Sequence, residues 1–112
     1  MIRKIKLYIC NNLVKLFIKL NKIAQLKIYN GYRIKYNIDN TVKFNGPGIK
    51  LYGEGVIEIV EKSYIGEYSF LQSDHGCSII IGSNCAISHN VKVYTNSYLA
   101  NQDFNDETRK TY

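Results

Sequence analysis

Residues 59–98 read IVEKSYIGEYSFLQSDHGCSIIIGSNCAISHNVKVYTNSY, and an aliphatic residue returns every six positions along this stretch. The aliphatic anchors form two runs separated by a short break: Ile59, Ile65 and Leu71, then Ile81, Ile87, Val93 and Leu99. A period of six fits neither an amphipathic helix nor a simple alternating strand. It is typical of a coil of very short strands, in which each repeat forms one side of a stacked prism.

Two further positions of the repeat support this interpretation. Small or compact residues follow several anchors by four positions: Ser63, Ser69, Cys85, Val91 and Ser97. Asparagines follow three anchors by three positions: Asn84, Asn90 and Asn96. We expect the small side chains to fit inside corners, and the asparagines to adopt the left-handed backbone that a tight corner needs. A β-meander with Asn-rich turns is the alternative, but it does not explain a fixed six-residue phase.

The repeat resembles that of the hexapeptide-repeat acyltransferases. Three segments match it: residues 65–70 (IGEYSF), 81–86 (IGSNCA) and 87–92 (ISHNVK). The wider stretch from Tyr64 to Phe104 is similar to the branch that acetylates sugars of surface polysaccharides. The resemblance implies an all-β fold, a left-handed parallel β-helix, which in this chain follows an N-terminal amphipathic α-helix. The handedness comes from the resemblance alone, because left-handed crossovers are rare among parallel strands.

The resemblance also implies an activity. The chain would be a CoA-dependent O-acetyltransferase that moves an acetyl group from acetyl-CoA to a sugar hydroxyl in capsule or lipopolysaccharide biosynthesis. Acetyl-CoA would be a co-substrate, with no bound cofactor and no metal. The relatives are homotrimers with active sites between subunits. The alternative is a truncated, non-catalytic remnant of such an enzyme that associates with membranes or forms oligomers.

His89 is the candidate general base. Direct acetyl transfer needs a group that takes the hydroxyl proton as the oxygen attacks the thioester, and histidine titrates near neutral pH. His89 precedes the expected corner residue Asn90, so its side chain should point outward. The other interpretation is a polar corner residue that only forms local hydrogen bonds.

Three further residues are candidates for substrate binding: His75, Tyr98 and Asp103. His75 lies in the break between the two runs of anchors, where a surface histidine without a role is the competing interpretation. In many relatives the catalytic histidine follows a Tyr-Thr pair by three positions, and here Tyr98 occupies that place after Tyr94-Thr95. Tyrosine is a poor base near neutral pH. Either His89 is the base, or Asp103 or another group replaces it, or the chain is inactive.

The basic charge of the chain is concentrated in its first part. Fifteen lysines and arginines against nine acids give a net charge of +6, yet residues 1–38 contain nine basic residues and no acid. An apolar stripe at spacings of four and three predicts one amphipathic helix, formed by Ile5, Ile9, Leu13, Leu16, Leu20 and Ile23. Lysines interrupt the segment too often for a transmembrane span or a signal peptide.

Two roles of this helix are open. Its stripe could pack against a neighbouring subunit or the first coil, or residues 1–26 could lie on an anionic membrane surface. Nucleic-acid binding by the basic, tyrosine-bearing stretch from Tyr29 to Tyr36 is less favoured, because no recognised module surrounds it. We expect no nucleic-acid partner and a cytoplasmic location. If residues 1–26 lie on a membrane, that location would be its inner face.

The sequence divides into a helical arm (residues 1–30), an incomplete β-helix domain (31–104) and a polar C-terminal stretch (105–112). Alternation of apolar and polar residues over 34–58 predicts irregular leading strands. Relatives resume their coils after such a polar stretch, so we expect the chain to be the N-terminal part of a longer enzyme.

The chain has three cysteines: Cys10, Cys77 and Cys85. Their number is odd and their spacing matches no metal signature, which favours a reducing compartment. Cys77 as a catalytic thiol is the weaker alternative.

Overall fold

The computed structural model describes residues 1–96, which divide into two compact units, Met1–Gly31 and a second unit that begins at Tyr32. Tyr98 and Asp103 lie outside the described residues. A single helix, α1 (Ile2–Lys35), fills the first unit and enters the second. No proline interrupts it, and apolar residues at helical spacing run along it, so the predicted helix is confirmed. No helix in the described part of the chain combines the length and apolarity needed to cross a bilayer.

The helix ends later than the sequence suggests. The alternation of Ile34, Tyr36 and Ile38 predicts a strand, but Ile34 lies in α1. The last turn is held from outside the helix, because the Arg33 guanidinium donates to the carbonyl oxygen of Asp39 over 3.0 Å and also to that of Val42. Such tertiary contacts outweigh a short alternating pattern.

Between the helix and residue 96, the structure has nine short strands: β1 (Asn37–Ile38), β2 (Lys43–Asn45), β3 (Lys50–Tyr52), β4 (Val56–Ile59), β5 (Tyr64–Gly66), β6 (Phe70–Gln72), β7 (Ser78–Ile81), β8 (Ala86–Ile87) and β9 (Lys92–Tyr94). They form three parallel sheets, in the orders β1-β4-β7, β2-β5-β8 and β3-β6-β9. The chain visits the three sheets in turn and then returns to the first, and we call three successive strands one coil. This topology is compatible with a parallel β-helix.

The register stacks the aliphatic anchors in columns. Each sheet contributes one inward column: Ile38, Ile59 and Ile81; Phe44, Ile65 and Ile87; Leu51, Leu71 and Val93. Ile65 and Leu71, in the second coil, have no exposed surface at all. The third-coil anchors are only half-buried, since no strand within residues 1–96 pairs with the far edges of β7, β8 and β9. The core of the second unit is therefore the interior of the coils.

Two of the three asparagine corners adopt the predicted left-handed backbone, whereas the prediction is wrong for Asn96, which has no positive φ angle. Asn84 and Asn90 have φ angles of 55° and 59°. Lys62 and Tyr68, the equivalent positions one coil earlier, have φ angles of 61° and 57°, although neither residue type signals such a conformation. The coil geometry imposes this backbone there, whatever the side chain.

Buried serines inside the corners connect neighbouring coils through hydrogen bonds. The Ser63 hydroxyl donates to the carbonyl oxygen of Gly82 over 2.6 Å and accepts the backbone N–H of Cys85 over 3.0 Å. Ser73, in the break between β6 and β7, is also fully buried, and its hydroxyl lies 2.8 Å from the Val56 carbonyl oxygen. The break thus includes an inward-facing corner residue as well as the exposed turn at His75 and Gly76.

Candidate functional site

The corner between β8 and β9 presents His89 on the surface. Its side chain is 67% exposed, as expected for a residue that points outward from the coil. Asn90 turns the chain immediately after it, and the backbone N–H of Asn90 donates to the carbonyl oxygen of Glu67 over 2.8 Å. The position of His89 is therefore set by backbone contacts with the coil before it.

Ser69 fixes this corner from inside. Its buried hydroxyl donates to the carbonyl oxygen of Ser88 over 3.0 Å and accepts the backbone N–H of Val91 over 3.1 Å. Those two residues bracket His89 and Asn90, so one hydroxyl ties both sides of the turn to the coil before it. A buried hydroxyl with both its donor and its acceptor satisfied adds rigidity at little cost.

Gly66 allows the two coils to approach closely beneath His89. A β-carbon at Gly66 would lie 2.7 Å from the carbonyl carbon of Ser88 and 2.8 Å from the backbone nitrogen of His89. These are backbone atoms and cannot rotate away. Only glycine fits there without a shift of the corner.

Glu67 is the partner of His89. Its backbone N–H donates to Nδ1 of His89 over 3.2 Å, and its carboxylate Oε1 lies 4.0 Å from the same nitrogen. A neutral imidazole that accepts at Nδ1 carries its proton on Nε2, an assignment that follows from this contact. The Glu67 carboxylate, which is 44% exposed, can instead stabilise the ring once Nδ1 is protonated.

The equivalence of Glu67 and His89 could have been found in the sequence. Glu67 follows the anchor Ile65 by two positions, and His89 follows the anchor Ile87 by two positions. Because Ile65 and Ile87 pair in register, the residues after them occupy one corner column. A histidine taken by itself does not reveal this pair, because only the register between coils brings the two positions together.

His75 lies elsewhere on the coil. It is exposed in the turn between β6 and β7, whereas His89 lies between β8 and β9, so the fold places the two histidines at different corners. Next to His75, the backbone N–H of Asp74 donates to the hydroxyl of Thr95 over 2.9 Å, and the Asn96 amide donates to the Asp74 carboxylate. This second corner is therefore a separate polar cluster around Asp74.

Nothing in the described residues forms a metal-ligand cluster. No group of three or more His, Cys, Asp or Glu residues within residues 1–96 could hold a metal ion. Cys10, Cys77 and Cys85 are free thiols.

Comparison with known proteins adds no family assignment. No protein-family model matches the chain, and no curated protein and no solved structure matches it significantly. The site must therefore be interpreted from its own geometry.

Proposed function

We propose that the protein is an acetyltransferase that moves an acetyl group from acetyl-CoA to a sugar hydroxyl during capsule or lipopolysaccharide assembly. The single observation that carries this proposal is the Glu67–His89 pair, an exposed imidazole on a rigid corner with a carboxylate 4.0 Å from Nδ1. The repeat in the sequence, which resembles that of hexapeptide-repeat acyltransferases, supplies the reaction class. The finer fold assignment, a left-handed β-helix of hexapeptide repeats, belongs to the same proposal.

The chemistry assigned to the pair is direct transfer. The sugar hydroxyl oxygen attacks the thioester carbonyl carbon, and its proton passes to Nδ1 of His89. For this step His89 releases the N–H of Glu67, and the Glu67 carboxylate stabilises the imidazolium that forms. The C–O bond forms, the C–S bond breaks, and the CoA thiolate takes up the proton that His89 holds. No metal or bound cofactor is needed for this sequence of bonds.

The proposed enzyme is a homotrimer. Its active sites would lie between subunits, as in the family that the repeat resembles. A high exposure of His89 in a single chain fits a site that a neighbouring subunit completes. Tyr98, Asp103 and His75 remain proposed substrate-binding residues.

The test is a thiol-release assay with acetyl-CoA and candidate sugar acceptors. We expect acceptor-dependent release by the assembled protein, and a loss of about 10²–10⁴-fold in His89→Ala with little change in acetyl-CoA binding. His75→Ala is the control, since its imidazole lies at another corner, and it should change the rate much less. Full activity of His89→Ala would refute the assignment of the base.

We propose a second role, attachment to an anionic membrane surface, for the helical arm at residues 1–26. The observation that favours it is the exposure of the apolar stripe: Ile5, Ile9, Leu13, Leu16, Leu20 and Ile23 each keep about half of their surface or more in solvent. Lys15, Lys19 and Lys22 follow one another at spacings of four and three, so they share one face of α1. A helix with an apolar face and a lysine face suits the boundary between acyl chains and lipid phosphates.

Charge favours the membrane over a second copy of the helix. Residues 1–38 contain no acid, so two such helices packed together would bring lysines near lysines without a counter-charge. An anionic lipid surface supplies the missing charge. With this arm, the proposed location is the cytoplasmic face of a membrane. Sedimentation with anionic vesicles tests the role, and failure to bind them would remove it.

A further inference from the structure

An open groove lies beside the third sheet, β3-β6-β9, along its first strand β3. It encloses about 390 Å³ and is lined by Tyr32, Lys50, Leu51, Tyr52 and Phe70. All five residues belong to the second unit. A volume of this order accommodates a small ring-bearing ligand.

Two lysines share one aromatic ring beside this groove. Lys50, Phe70 and Lys92 pair in register across the three strands, with Phe70 in the middle. The ammonium nitrogen of Lys50 lies 5.2 Å from the centroid of the Phe70 ring, and that of Lys92 lies 3.6 Å from the same centroid. The Lys92 ammonium also donates to the carbonyl oxygen of Tyr68. We call Lys50, Tyr52, Phe70 and Lys92 the lysine–aromatic face.

Within residues 1–96, neither lysine of this face forms an ion pair. The ion pairs within residues 1–96 are Lys35 with Glu54 and His89 with Glu67, and neither involves Lys50 or Lys92. Two ammonium groups held at one ring repel each other, and an anion bound beside them would relieve this repulsion. The surface thus selects a negatively charged ligand.

The aromatic groups of the groove favour a ligand that contains a ring. Tyr52 keeps 42% of its surface exposed, and Phe70 offers a partly exposed ring beside it. The Tyr32 hydroxyl donates to the carbonyl oxygen of Ile49 over 3.3 Å, and burial raises the pKa of this phenol, so the groove gains no negative charge of its own. Aromatic side chains with a polar tip suit a ligand with one apolar face and several hydroxyl groups.

We propose that the lysine–aromatic face binds an acidic oligosaccharide, a chain of sugar rings of which at least one carries a carboxylate. The lysines hold the anion through charge-assisted hydrogen bonds, and the rings of Phe70 and Tyr52 contact the sugar ring. This binding needs no acetyl donor, so it can be tested independently of the proposed acetyl transfer. If the binding and the transfer are both observed, the acidic saccharide is the class of acceptor.

The test is a calorimetric titration of the full chain, at low ionic strength and without acetyl-CoA. The probes are a tetrasaccharide containing glucuronic acid, a neutral glucose tetrasaccharide of the same length, AMP and inorganic phosphate. We expect the acidic tetrasaccharide to bind at least about 10-fold more tightly than each of the other three, because only it combines a sugar chain with an anion. Binding should weaken as salt is added.

Matched variants locate the site. Lys50→Gln and Phe70→Leu should each weaken binding of the acidic tetrasaccharide by about 5–10-fold. Lys43→Gln is the control, since Lys43 is an exposed lysine in β2, on another sheet, and it should change affinity less than about twofold. Circular dichroism checks folding, and Lys50→Gln decides the matter if Phe70→Leu misfolds.

Three results would overturn the inference. They are equal affinity for the neutral and acidic tetrasaccharides, binding of AMP or phosphate as tight as that of the acidic sugar, and an equal loss in Lys43→Gln and Lys50→Gln. Absence of acetyl transfer, by contrast, would leave a positive titration intact and count only against the proposed reaction.

Discussion

Glu67 contacts Nδ1 of His89 in two ways, with its backbone N–H at 3.2 Å and with its carboxylate Oε1 at 4.0 Å. The first contact requires an unprotonated nitrogen, and the second is favourable when that nitrogen is protonated. One residue can therefore support the imidazole before and after it takes up a proton. This is the relationship that the proposed reaction uses.

Glu67→Gln separates the two contacts, because it removes the charge and keeps the backbone N–H. We expect acetyl transfer to fall, by less than in His89→Ala, since the base remains but its protonated form loses a counter-charge. Glu61→Gln is the matched control, an exposed glutamate at the preceding corner of the same coil, and should have no effect. Steady-state rates at saturating acetyl-CoA measure the difference. Equal rates for Glu67→Gln and wild type would exclude a role for the carboxylate.

Gly66→Ala should destabilise the corner that holds His89. The added β-carbon would meet backbone atoms of Ser88 and His89 at under 3 Å, and overpacking of this kind costs about 1–3 kcal/mol. Gly82→Ala is the control, because its nearest neighbour would be the Cys85 sulfur at 3.9 Å. Urea denaturation measures both variants. Equal midpoints for the two would show that the coils do not approach at Gly66 as described.

The sequence predicts the interior of this fold better than its corners. The register pairs Ile59 with Ile81 and Ile65 with Ile87, so the anchors expected inside lie in common columns. Hydrophobic spacing reveals such positions because each repeat buries the same face. The left-handed backbone at Lys62 and Tyr68 has no such signal, since it is imposed by neighbouring coils rather than by residue type.

The candidate site was only partly visible in the sequence. His89 was found because histidine is rare and chemically distinctive here, and its outward position follows from the repeat. Glu67 and the lysine–aromatic face were missed, because they arise from residues about 22 positions apart that only the coil register brings together. The proposed roles of Tyr98 and Asp103 remain predictions, as both residues lie outside the described part of the chain.

Ile65→Ala should cost about 2–5 kcal/mol in the free energy of unfolding, because Ile65 is fully buried between Phe44 and Ile87. Ile80→Ala is the matched control, since Ile80 lies in β7 with 67% of its surface exposed and should change stability by about 0.5 kcal/mol or less. Ile87→Asp should destabilise the third coil, because it places an unpaired charge at a half-buried position of the column. Equal stability of the two alanine variants would contradict the inward column.

Stability should fall in acid through Asp39. The Asp39 carboxylate accepts the Thr41 hydroxyl over 2.6 Å and the Thr41 backbone N–H over 2.8 Å, and the Thr41 hydroxyl accepts the Lys62 N–H of the next coil over 2.7 Å. These hydrogen bonds lower the pKa of Asp39 below its ordinary value of 3.8. A carboxyl with a lowered folded-state pKa stabilises the fold above the unfolded value, and this contribution is lost as pH falls through the folded one.

The expected result is a melting temperature that drops below about pH 4 more steeply in wild type than in Asp39→Asn. The asparagine keeps an oxygen that can accept hydrogen bonds but has no charge to titrate. Asp74→Asn serves as the comparison variant, because it removes one aspartate charge at a different corner, between β6 and β7. Parallel acid profiles for wild type and Asp39→Asn would rule out the link between Asp39 and coil stability.

Charge reversal in the helical arm tests membrane attachment most directly. Lys15→Glu with Lys19→Glu leaves the apolar stripe intact and places two acids on the lysine face of α1. Each basic residue near an anionic surface contributes about 1 kcal/mol, so the double variant should lose at least about 10-fold in its partition onto phosphatidylserine-containing vesicles.

The control is Lys43→Glu with Lys62→Glu, an equal change of net charge in the second unit, which should bind like wild type. Co-sedimentation at rising salt measures the partition, and salt should release wild type progressively. Equal binding of wild type to neutral and anionic vesicles would exclude the electrostatic part of the attachment, and equal losses in the two double variants would show that net charge, rather than the arm, determines binding.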